Sequence, residues 1–78
     1  MSGLENALGS IKERVERIYG LLEDVEHELG ASGESVRRGE TEVARAHARS
    51  AYHILMHAAG RLRDIAEQLS EAFNLAGD

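Results

Sequence analysis

The 78-residue chain contains no cysteine, no proline and no tryptophan, and its aromatic content is two tyrosines and one phenylalanine. Without cysteine there is no disulfide framework, no thiolate nucleophile and no cysteine-ligated zinc. Without proline nothing in the chain forbids long helices. No apolar run approaches the ~18 residues of a membrane span; the longest, Ile54-Leu55-Met56, stops at His57. The opening Met1-Ser2-Gly3-Leu4-Glu5-Asn6 has neither the basic nor the apolar region of a signal peptide. The expected location is therefore the cytoplasm, with leaderless export as the alternative. There is no glycine-rich phosphate loop and no Ser/His/Asp spacing of a nucleophilic site, so an enzyme is not expected.

What is present is 42% apolar and 29% charged residues, with 14 acids against 9 bases. That balance is too apolar for a disordered polar tract. The length allows a single domain, whose core would supply ~3–5 kcal/mol at most. Small domains make up the shortfall with disulfides, metals or self-association. Disulfides being excluded, the other two become the questions to ask.

From Leu4 the apolar residues fall at Leu8, Ile11, Val15, Ile18, Leu22, Val25 and Leu29, alternating steps of four and three. This is the seam of a coiled-coil-like helix. Gly30 stands where a left-handed C-cap is expected, so helix one is predicted over about residues 3–29. A second pattern, Ala48, Ala51, Leu55, Ala58, Leu62, Ile65, Leu69, Ala72 and Ala76, steps in the same way. Tyr52, Ala59, Ala66 and Phe73 widen that stripe, and its alanines permit close approach of another helix. Helix two is predicted over about 41–76, after a break over about 30–40, with Thr41 as its cap. An earlier start capped by Ser32 is the alternative.

Two helices joined by a short break imply an antiparallel all-α hairpin. Glu13 to Glu34 carries seven acids and two bases, and Arg37 to Arg63 six bases and two acids. Folding back sets the acids of helix one near Arg37, Arg38, Arg45 and Arg49, and Lys12, Arg14 and Arg17 towards Asp64 and Glu67. Because helix two reads as the longer, Leu69, Phe73 and Ala76 are expected to project ~15 Å or more beyond helix one. An uncovered apolar stretch of that kind marks an interaction surface. The expectation is a homodimer closing into a four-helix bundle, with Leu55, Leu62, Ile65, Leu69 and Phe73 at its interface.

Other side chains carry sharper but less favoured readings. His53 and His57 have the one-turn spacing of paired metal ligands, but a third ligand would have to come from a neighbouring subunit. They read as solvated surface histidines, and no cofactor or metal is expected. Asp24-x-x-His27 has the spacing of di-iron bundles but faces outward. His47 is placed beside the acidic end of helix one, in a structural role. Arg37, Arg38, Arg45 and Arg49 form a possible contact for an anion or an acidic partner, against the plainer reading that helix-one carboxylates occupy them. A net acidic chain with no aromatic platform is not expected to bind nucleic acid.

In outline such a dimerising hairpin is similar to the ESAT-6/WXG100 secreted proteins. That likeness implies a leaderless export substrate that pairs with a sister protein. It is one of architecture: Gly30-Ala31-Ser32-Gly33-Glu34 stands where those proteins carry Trp-x-Gly, and Phe73-Asn74-Leu75-Ala76-Gly77 lacks their terminal Tyr-x-x-x-Asp/Glu. The leading expectation is a non-enzymatic protein–protein interaction module (adaptor, assembly factor or inhibitor) working as a homo-oligomer on itself and another protein. The alternatives are the exported hairpin and a small-ligand or metal-binding bundle.

Overall fold

The structure, a computed structural model, describes residues 2–75. Two helices account for nearly all of them: α1, Ser2–Arg37, and α2, Thr41–Phe73. They pack against each other as an antiparallel hairpin measuring 57 × 24 × 14 Å. The described residues contain no strand. No helix among them is long and apolar enough to cross a membrane.

The turn between the helices corrects the expected boundaries. Helix α1 does not end at Gly30; it continues for seven further residues to Arg37. Gly30 and Gly33 each cost a helix about 1 kcal/mol relative to alanine, but neither has a positive φ. Tertiary contacts offset that cost. Ser32 Oγ donates to the Ala44 carbonyl at 2.8 Å across the hairpin, and Ser35 is buried. The glycine that ends α1 is Gly39, at φ +76. Its N–H bonds Val36 O at 3.0 Å, and the Glu40 N–H bonds Ser35 O at 2.8 Å. This crossed pair is a Schellman closure, which needs a left-handed residue where it turns. Glu40, not Thr41, then occupies the N-cap of α2, without a side-chain capping bond. At the far end Asn74 adopts φ 53, and the Leu75 N–H closes on Ser70 O at 2.9 Å.

This boundary removes the predicted mismatch of length. With α1 spanning 36 residues and α2 33, the helices run alongside each other for their whole course. Leu69 does not overhang: it packs on the cluster of Ile11, Ile18 and Ile65. Phe73 is exposed at the open end of the hairpin, and Ala76 lies outside the described residues.

The buried residues recur every seven positions, at Ile11, Ile18 and Val25 on α1 and at Ala44, Ala51, Ala58 and Ile65 on α2. Isoleucine and valine from one helix thus meet mostly alanine from the other, which lets the backbones approach closely. Among the described residues no large side chain is fully enclosed. A single layer of two helices has no third element to close over its contact line.

Candidate interaction face

The rows beside the contact line differ in chemistry. One rim carries Arg14, Leu21 and Glu28 from α1, with His47, Ile54, Arg61 and Gln68 from α2. Its members pair across the hairpin: Arg14 donates to Gln68 Oε1, and His47 Nδ1 lies 2.7 Å from Glu28 Oε1. The opposite rim carries Leu8, Val15, Leu22 and Leu29 with Leu55, Leu62 and Leu69. Residues four apart on a helix share a face, and in an antiparallel pair the two leucine rows fall on the same side. Val15 and Leu69 are partly covered by the Ile11, Ile18 and Ile65 cluster. The rest are open, with Leu22 41%, Leu55 45% and Leu62 48% exposed.

This division explains a feature of the sequence that otherwise reads as an ordinary seam. The apolar stepping of α1 places residues at each contact position and four residues beyond it, as with Ile11 and Val15 or Ile18 and Leu22. The hairpin contact instead uses each contact position and the one three beyond, as with Ile11 and Arg14 or Val25 and Glu28. Half of the seam therefore lies between the helices and half opens onto one broad face. Among the described residues thirteen large apolar side chains are exposed, while four (Ile11, Ile18, Val25 and Ile65) are buried.

The predicted interface residues divide accordingly. Leu55, Leu62 and Phe73 are exposed, Leu69 is partly covered and Ile65 is buried within its own chain. The expected surface is centred on helix two; Leu8, Leu22 and Leu29 of α1 are exposed on the same side, and their four-residue offset from the buried row is the signal in the sequence.

The predicted charge register is only partly realised. His47 meets Glu28 as expected. Arg37 and Arg38, however, turn back on Glu34 within a single turn of α1, while Arg45 and Arg49 are exposed and make no ion pair among the described residues. Arg14 reaches Gln68 rather than Asp64 or Glu67. The extension of α1 leaves Arg37 on its last turn and Arg38 just past it, rather than at the start of α2.

On the polar side a shallow depression of about 460 Å³ is lined by Arg14, Met56, His57, Gly60, Arg61 and Asp64. A smaller one of about 220 Å³ adjoins it, with Arg17 and Leu21. Of the three guanidiniums that line the two depressions, two already have acceptors: Arg14 uses Gln68, and Arg61 Nε donates to His57 Nε2 at 3.0 Å. His53 stands edge-on to the Tyr52 ring at 5.4 Å. Among the described residues no three metal-ligating side chains gather.

Comparison with protein-family models, curated proteins and solved structures finds no match.

Proposed function

We propose that this chain is a non-enzymatic helical interaction module that works as a homo-oligomer, two hairpins closing their leucine faces into a four-helix bundle. The observation that carries the reading is the open row of Leu8, Leu22 and Leu29 beside Leu55 and Leu62. Scattered exposed leucines are ordinary, but a contiguous apolar row spanning two helices is the mark of an association surface. Burying it returns about 25 cal/mol per Å² of apolar area, in a chain whose single-layer core has little stability of its own. The face of this hairpin, 57 by 24 Å, is large enough for the ~800 Å² that each partner contributes to a standard interface.

The opposite rim supports a non-catalytic role. Its ionisable groups sit at the surface or half-buried, and their contacts are the pairings described above. In this reading the assembled bundle serves as an adaptor, an assembly factor or an inhibitor of another protein. The decisive measurement is the solution mass of the purified chain by sedimentation equilibrium. A dimer that becomes a monomer when Leu22 and Leu62 are both changed to serine is expected. A folded monomer at high concentration would end the proposal.

A further inference from the structure

The leucine face has two chemically different edges. Along α1 it is bordered by Glu16, Glu23 and Glu26, and along α2 by Arg45, Arg49 and Arg63. All six are exposed, and none forms an ion pair among the described residues. Lys12, Arg37 and Glu42 are the exceptions on the two edges.

Resting on the homo-oligomer reading, we infer that the second copy docks with its loop at the same end, so that α1 of each hairpin lies antiparallel against α2 of the other. Two hairpins can meet face to face about a two-fold axis in only two simple ways. If the axis runs across the helices, α1 stacks on α1 and α2 on α2, with the loops at opposite ends. Glutamates then meet glutamates along one edge, and arginines meet arginines along the other. If the axis runs along the helices, α1 stacks on α2 of the other copy and both loops point the same way. Every glutamate edge then meets an arginine edge.

The register agrees with the second arrangement. An axis along the helices keeps each residue at its own height, so the pairings between copies repeat those within the chain. There Glu28 lies level with His47, and Ser32 with Ala44. At the same heights Glu26 and Glu23 face Arg49, with Arg45 a turn away, and Glu16 faces Arg63. Tyr19 falls against Ala59, a large side chain opposite a small one. Exposed pairs contribute little individually, but like charges set side by side are repulsive, and that repulsion selects the register and orientation of packed helices.

The absence of cysteine makes the test direct. Glu40→Cys places one label on the loop, at a side chain that makes no capping bond. Spin-label distances in the purified full-length dimer are expected to be short, on the scale of two adjacent helix pairs, about 20–30 Å with the label arms included. A distance near the 57 Å length of the hairpin, or a mixture of short and long distances, would overturn the arrangement while leaving the dimer intact. A monomeric chain would overturn the underlying reading as well. Charge reversal gives a second readout. The Glu23→Arg/Glu26→Arg and Arg45→Glu/Arg49→Glu variants are each expected to self-associate about tenfold more weakly, which is 1.4 kcal/mol. Mixed together, they should recover a heterodimer. Failure of the mixture to do so counts against the α1-to-α2 pairing.

Discussion

Ile18 and Leu22 stand one turn apart on the same helix, yet Ile18 is 4% exposed and Leu22 41%. Both belong to one uninterrupted apolar stripe, and the fold assigns them to different surfaces. Ile18 packs with Ile11 and Ile65 inside the hairpin, whereas Leu22 opens onto the face beside it. Ile18→Ala should therefore destabilise the folded chain by about 2–4 kcal/mol, through a cavity that two helices cannot collapse around. Leu22→Gln should leave helix content unchanged and lower only the assembled fraction. Circular dichroism melts and sedimentation of the two variants separate the effects; equal losses of fold would sink the division.

The two glycines near the turn have opposite expected responses. Gly30 lies inside α1 with open space around its α-carbon, so Gly30→Ala should stabilise by up to about 1 kcal/mol. Gly39 holds φ +76, and Gly39→Ala should destabilise by about 1 kcal/mol. Thermal melts of both variants decide it. The reverse pattern would mean that α1 ends at Gly30 after all.

Ala51 is 2% exposed at the middle of the contact line. Enlarging it to leucine forces the helices apart and should cost about 1–3 kcal/mol. Denaturant unfolding measures the loss. An unchanged midpoint would show that the backbones do not approach as closely as the row of alanines implies.

Ser32→Ala removes the hydroxyl that reaches the Ala44 carbonyl over the turn. The expected loss is about 0.5–1.5 kcal/mol, with faster hydrogen exchange at the last turn of α1. Exchange rates that stay put there would assign the continuity of α1 past Gly30 to something other than this bond.

Phe73→Ala and Leu62→Ala should weaken self-association, since both side chains are exposed. Leu69→Ala is the poorer probe, because Leu69 also covers the intramolecular cluster and its loss lowers fold stability. Dilution series by light scattering distinguish the three variants. Full association of Leu62→Ala would remove that residue from the surface.

Much of the architecture was legible in the residues. The stepping from Leu4 to Leu29 marks a helix, and the second stripe marks another, because each period fits a helical repeat and no proline interrupts it. The boundary was not legible. Gly30, Gly33 and Gly39 offer three stopping points with the same intrinsic preference, and local propensity cannot rank them. The choice depends on contacts between residues such as Ser32 and Ala44, which exist only once α2 has folded back. The predicted overhang fails for the same reason: it rests on a helix that stops about two turns too early.

The periodicity alone therefore determined that this protein is two helices with more apolar surface than one contact line can take up. Only the tertiary structure decided which leucines are spared. A stripe seven residues in period fixes a direction on each helix, but how far each helix rotates about its own axis is set by packing against the other. Here that rotation turns Arg14, Glu28, His47 and Gln68 to one rim, where they find each other, and leaves Leu22, Leu29, Leu55 and Leu62 on the other.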